Sequence, residues 1–97
     1  MIVTRRLLPA TEARMTELFD TRLNPDDHAM DRDELATAMQ QADVLVPTVT
    51  DRIDAALIAE AGAQLGLIAS FGAGTDHIDL HACRMRKIMV KIGRAHV

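Results

Sequence analysis

The chain has 97 residues, 48% of them hydrophobic and 26% charged, with a net charge of −3, a globular mixture sized for one small domain with one core. Its Lys and Arg residues are scattered singly and its aromatics are Phe19 and Phe71 alone, which argues against nucleic-acid binding, and no apolar run is long enough to span a bilayer. The start, Met1-Ile2-Val3-Thr4-Arg5, lacks the order of a signal peptide. A single cysteine, Cys83, allows no internal disulfide, so the expected setting is a reducing cytoplasm, with Cys83 as a small packing residue.

In chain order, Ile2-Val3 begins a short β-like run that reaches Leu7-Leu8 after Arg5-Arg6. Pro9 suits the first turn of a helix. Met15, Leu18 and Phe19 then fall at i, i+3, i+4, the spacing of one buried helical face. Asp20 to Leu23 reads as a short edge strand, and Asn24-Pro25-Asp26-Asp27 is turn chemistry. Asp31 with Glu34 fits a capping box, and Leu35, Ala38, Met39 and Ala42 carry the helical face on. Asp43-Val44-Leu45-Val46 is a short apolar strand stopped by Pro47. Thr50-Asp51 opens a further helix in which Ile53, Leu57, Ile58 and Ala61 share a face. Gly62 is placed to end it in a left-handed cap. Leu65 to Ala69 is the next strand, Asp79 caps a short helix containing Leu80, Ala82 and Cys83, and Ile88-Met89-Val90 begins the last strand. Asp26, Asp27, Asp31 and Asp33 read as a solvated acidic face.

This βαβαβαβαβ order with short connections predicts an α/β fold, a flavodoxin-like parallel sheet of order 2-1-3-4-5 with helices on both faces. The predicted helices cover 10–19, 32–42, 51–61 and 79–86. The strands at 44–46 and 65–69 are apolar throughout, as strands covered on both faces should be.

The stretch Ser70-Phe71-Gly72-Ala73-Gly74-Thr75-Asp76-His77-Ile78-Asp79 stands out. It follows a strand and opens a helix. Gly72 and Gly74 let a ligand approach the main chain, and successive N–H groups in such a turn can form a concave anion site. Open α/β sheets bind ligands at this edge. A dinucleotide fingerprint is rejected, because position 77 is His where a third glycine is needed, and Asp76 would oppose a pyrophosphate. Asp76 has a loop-shaping role through its own backbone and Asp79 one as an N-cap. His77 and His81 stand at i, i+4, yet Asp79 starts the helix between them, so no metal site is expected. His77 is read as a loop-anchoring or rim residue. No Ser-His-Asp or Cys-His arrangement can be argued.

Val44-Leu45-Val46-Pro47-Thr48-Val49-Thr50-Asp51-Arg52-Ile53-Asp54, followed by Leu67 to Leu80 with its G-x-G-x-D-x-I-D core, resembles the D-isomer-specific 2-hydroxyacid dehydrogenases, in the flavour of glyoxylate/hydroxypyruvate reductase and D-glycerate dehydrogenase. The resemblance implies that residues 1–91 are the front part of the substrate-binding domain and that the domain is incomplete. It implies an NAD(P)-dependent oxidoreductase that interconverts small 2-oxo and D-2-hydroxy acids. Backbone N–H groups at Ala73 and Gly74 would hold the substrate carboxylate, Thr48 and Val49 would wall the same cleft, and Gly72, Asp76 and Asp79 would shape the loop. No catalytic, cofactor-binding or metal-binding residue is expected within these residues. NAD or NADP would belong to the full-length parent, a homodimer. Lys87 stands where the family usually has Gly before the last strand, and Ile92-Gly93-Arg94-Ala95-His96-Val97 resembles a translated sequencing adapter, so 92–97 are set aside as an artefactual tail. The alternative is a stand-alone flavodoxin-like binding or regulatory module, such as a receiver-type domain, which needs acidic residues at strand ends.

An incomplete domain of this size should be marginally stable, aggregation-prone or partly molten, because one uncovered apolar face forfeits energy comparable to the usual margin of about 5–15 kcal/mol. Urea melting followed by circular dichroism checks this. A cooperative, reversible monomeric transition above about 5 kcal/mol would contradict it.

Overall fold

The computed structural model describes residues 1–24, 26–28, 30–48, 51–71 and 77–93. Eight elements follow one another: β1 (Ile2–Val3), α1 (Pro9–Leu18), α2 (Arg32–Gln41), β2 (Val44–Val46), α3 (Ala55–Ala59), β3 (Leu67–Phe71), α4 (Leu80–Met85) and β4 (Met89–Gly93). The strands form one parallel sheet of order β1-β2-β3-β4. Ile2 pairs with Leu45, Leu45 with Ile68 and Ile68 with Val90, so these four share one face of the sheet. The β4 ladder pairs Ile92 with Ser70 and Gly93 with Phe71. It therefore continues two residues into the segment set aside from the sequence, since ladder bonds are made by the backbone.

The core sits on that face. Leu35, Ala38 and Met39 of α2, Leu57 and Ile58 of α3, and Cys83 of α4 pack with Ile2, Leu45 and Ile68. The three crossovers run in the same direction across the sheet, and right-handedness puts all three helices on the same side. Connection α1 runs the other way, from β1 to the outer edge at Arg22, and so belongs to the opposite face.

The second predicted strand, 20–23, shrinks to a single parallel bridge between Ile2 and Arg22. Val3 N donates to Arg22 O at 3.0 Å and Arg22 N to Met1 O at 2.9 Å. The extension ends there because Asn24 turns inward and its amide donates to the Thr4 and His28 carbonyls, both at 2.8 Å. The order 2-1-3-4-5 survives with its edge position reduced to one residue. The predicted apolar face of α1 exists but is not buried: the helix contributes no buried residue, and Leu18 and Phe19 are 59% and 54% exposed. Among the described residues nothing covers that stripe.

Local chemistry explains the other helices. Asp31 accepts from Glu34 N at 2.8 Å while Glu34 Oε1 accepts from Asp31 N at 3.1 Å, the full capping box. Helix α3 begins four residues later than expected because Asp54, not Asp51, is its N-cap, accepting from Leu57 N at 2.9 Å. Its C-terminal carbonyls at Ile58, Ala59 and Ala61 accept from the Arg86 guanidinium at 2.9, 3.1 and 2.9 Å, a side-chain substitute for the missing backbone donors. Gly62 is not a left-handed cap. A Cβ there would sit 2.6 Å from Gln40 O, so glycine permits the close approach of α3's exit to α2. The left-handed positions are instead Asp27 (φ 52°) and Lys87 (φ 58°). Asp27 is more than a solvated acid: it accepts from Arg5 Nε at 3.0 Å and Arg6 N at 2.8 Å, and the Arg5 bond first, then that from Arg6, holds its carboxyl below its ordinary range.

Lys87 holds a conformation that disfavours side chains, at a cost of roughly 1–2 kcal/mol. Lys87→Gly should raise stability by about 0.5–1 kcal/mol after the entropy of the freer unfolded chain is subtracted; a lower urea midpoint would contradict this. Asp54 is held at about 2, chiefly by its bidentate pair with Arg32 at 2.8 and 3.0 Å. A depressed carboxyl stabilises the fold above its ordinary value and loses that contribution as pH falls toward its folded value. Stability should therefore drop between roughly pH 4 and pH 2. Arg32→Gln should make that drop shallower in acid titrations followed by circular dichroism.

Candidate functional site

Because all strands run parallel, their carboxyl ends line one edge, where open α/β sheets bind ligands. That edge is polar and buried. Thr4 follows β1, Pro47 and Thr48 follow β2, and Ser70 lies near the end of β3. Among the described residues, Thr4, Asn24, Asp51 and Ser70 are the buried polar ones. Asp51, 3% exposed, accepts the Thr4 hydroxyl proton and, at 3.0 Å, that of Thr48 N. Its own N–H donates to Thr48 O at 3.0 Å. Thr48 and Asp51 are thus held to each other, and Asp51 is tied to the end of β1. Burial of a carboxylate is tolerated only with such partners. Asn24 extends the network by holding the carbonyl of Thr4.

A second tie flanks the glycine loop. Ser70 Oγ and His77 Nε2 are 2.9 Å apart, joining residues on either side of it. Next to it, Ile53 N donates to His77 O at 2.7 Å and Asp79 N to Ile53 O at 2.9 Å, making an isolated parallel bridge between Ile53 and Ile78. The segment after the β2 turn is therefore fastened to the segment after the glycine loop. Asp79 then caps α4, accepting from Ala82 N at 3.0 Å.

Of the residues singled out from sequence, Thr48 lies half-buried at this edge and Asp79 beside it, as the cap expected of it. Ala73, Gly74, Val49, Gly72 and Asp76 lie outside the described residues. His77, expected to be a loop-anchoring or rim residue, is half-buried and bonds Ser70. Ser70 and His77 do not read as a nucleophile and its base, because Ser70 is fully buried and closed to an external electrophile. His81 lies inside α4 while His77 precedes its cap, and among the described residues no group of three His, Cys, Asp or Glu could hold a metal. Cys83 is buried, and burial raises its thiol pKa. Sequence reasoning missed Thr4, Asn24, Asp51 and Ser70. Asp51 is placed in a helix by its spacing, and its partner Thr4 lies 47 residues away.

A separate cavity of about 500 Å³ opens at the amino edge of the sheet, lined by Met1, Phe19, Arg22, Gln41, Asp43 and Gln64 among others. There the Met1 ammonium bonds Asp43 at 3.2 Å and keeps its carboxyl below the ordinary value. Among the described residues, no carboxyl end of a strand faces it.

Asp51→Ala leaves the buried Thr4 hydroxyl without its acceptor and should cost about 1–3 kcal/mol. Asp51→Asn keeps one acceptor oxygen and should cost less. Paired urea melts check the order, and equal losses for the two variants would contradict it.

Three comparisons bear on the edge so described. The chain matches the family described as "D-isomer specific 2-hydroxyacid dehydrogenase, catalytic domain" over residues 1–92. It is 30% identical over 95 residues to the glycerate dehydrogenase of Hyphomicrobium methylovorum, covering 98% of this chain and 29% of that protein. It is 33% identical over 91 residues to the glyoxylate reductase of Thermococcus litoralis, covering 93% of this chain and 27% of that protein. Its fold superposes with a TM-score of 0.86 and 35% identity on a structure from Polaromonas sp. JS6 66 titled as a D-isomer specific, NAD-binding 2-hydroxyacid dehydrogenase, over 92% of this chain and 28% of that one. The chain thus spans under a third of the length of these relatives. With this match over nearly its whole length, the chain belongs to the D-isomer specific 2-hydroxyacid dehydrogenase family.

Proposed function

We propose that this chain is the front portion of the substrate-binding domain of a longer NAD(P)-dependent enzyme. That enzyme interconverts small 2-oxo acids and D-2-hydroxy acids of the glyoxylate or hydroxypyruvate type. The contribution of these residues is to hold the substrate carboxylate, through backbone N–H groups at Ala73 and Gly74, with Thr48 and Val49 walling the cleft. The observation that supports the reading is the Ile53–Ile78 bridge at the carboxyl edge, in a chain of this family.

The residues present do not fit a dinucleotide. The turn after β1 is Thr4-Arg5-Arg6-Leu7-Leu8, without glycine, and the N-cap of α1, Leu8, has no side-chain cap bond. No step of hydride transfer is assigned to this chain, and a homodimeric parent would dimerise through other segments. What these residues supply is uncharged: amide dipoles stabilise an anion without donating a proton. A chain that binds the acid but neither cofactor nor proton donor turns nothing over.

The test is an amide-detected NMR titration of this chain with glyoxylate, D-glycerate and NADH. Glyoxylate and D-glycerate should shift the amides of residues 48–49 and 72–76 with millimolar dissociation constants, weak as befits a ligand of few atoms. NADH should shift none. Saturable NADH binding, or carboxylate shifts confined to other residues, would overturn the reading.

A further inference from the structure

The two edges of the sheet differ. Along β1, Val3 N donates to Arg22 O at 3.0 Å and Arg22 N to Met1 O at 2.9 Å, so that edge is occupied. At the other edge β4 pairs with β3 alone. Met89 N donates to Gly66 O at 2.9 Å, which turns the peptide groups of Met89 and Lys91 toward β3. Peptide groups alternate sides along a strand, so Val90 and Ile92 each present an N–H and a C=O outward. Among the described residues nothing bonds to them. A strand edge left in this state is a template for pairing with another chain. With β3, β4 is also the longest strand of the sheet.

We propose that β4 is a self-pairing edge: two copies of this chain associate through it, antiparallel about a two-fold axis at Lys91. In that register Val90 meets Ile92 of the second copy and Ile92 meets its Val90, so each outward N–H finds an outward C=O. The backbone supplies every bond, and the pairing does not depend on which side chains stand at 90 and 92. An axis at Val90 would instead set Ile92 against Ile88, whose N–H already donates to Cys83 O at 2.8 Å. An edge contact this short buries less than a stable interface does, so the pair is weak. Lys91 weakens it further. Its side chain is exposed and faces Lys91 of the second copy where antiparallel side chains come closest, and like charges so placed repel. The inference stands apart from the carboxylate reading and from the contacts of a homodimeric parent.

The experiment follows the wild-type chain and Lys91→Glu, each alone and mixed in equal amounts, by sedimentation equilibrium and amide hydrogen exchange. The substitution turns the facing pair from repulsive to attractive, so the mixed pair should form about tenfold more tightly than either chain with itself. Added salt should weaken the mixed pair and strengthen the wild-type pair, because it screens an attraction in one and a repulsion in the other. On pairing, the amides of Val90 and Ile92 should gain protection, while those of Met89 and Lys91, already bonded to β3, keep theirs. Val90→Pro removes an outward N–H and no bond to β3, and should abolish the association with Lys91→Glu. Protection retained at Ile68 shows that this variant still folds; where it does not fold, the mixing and exchange results decide alone. A mixture no tighter than its components overturns the proposal. So does a salt dependence of the same sign in both pairs. Association that leaves Val90 and Ile92 exchanging as in the monomer also overturns it, and would move the contact to the exposed Leu18 and Phe19 of α1.

Discussion

Strands β1 and β2 are two and three residues long, and the sheet depends on how that shortness is compensated. The β1–β2 and β2–β3 ladders have two paired positions each, and parallel pairing is slightly less stable per residue than antiparallel. Buried side-chain bonds at the carboxyl edge add to the backbone bonds. Thr4 and Thr48 meet on the carboxylate of Asp51, and Asn24 holds the carbonyl of Thr4. The Thr4–Asp51 bond joins residues 47 positions apart, so it forms only once β1 and β2 are side by side. A buried carboxylate is expensive without partners, and its partners are available only in the parallel arrangement.

The two faces of the sheet are unequal. Helices α2, α3 and α4 cover one face, with Met39, Leu45, Leu57, Ile58 and Ile68 inaccessible to solvent and Val90 of the edge strand half-buried. On the other face Val44, Leu67 and Ala69 are half-covered and Met89 is 58% exposed. Helix α1 presents Leu18 and Phe19 outward. Apolar stripes left open in this way weaken a small domain, because the margin between burial and chain entropy is narrow.

The sequence was most legible where one element decides its own structure. The capping box at Asp31 and Glu34, the cap at Asp79 and the helical face of α2 follow from spacings of three and four residues, and all are present; of the face expected for α3, only Leu57 and Ile58 lie in the helix, while Ile53 and Ala61 are buried outside it. It was least legible where two distant segments decide together. Asp51 looks like a helix opener in a helical pattern and becomes a buried tie because Thr4 lies beside it. Gly62 looks like a left-handed cap and proves to be a point of close approach to Gln40. The strand expected at 20–23 is real as a neighbour of β1, yet the inward turn of Asn24 confines it to a single bridge. The buried face expected of α1 has the right period, but period says nothing of whether a partner is present. At the candidate site, the glycines pointed to the loop. The Ser70–His77 contact and the Ile53–Ile78 bridge beside it are tertiary and left no motif.

Membership of the family, the parallel edge and the Ile53–Ile78 bridge support the proposal made above, that the carboxyl edge of this sheet receives a carboxylate on backbone N–H groups. A crystal structure of this chain grown with glyoxylate tests that claim most directly. The account predicts the carboxylate between the loops after β2 and β3, within hydrogen-bond distance of the amides at Ala73 and Gly74. An ordered carboxylate seated instead in the amino-edge cavity beside Met1 and Arg22, with none between the loops, would contradict it.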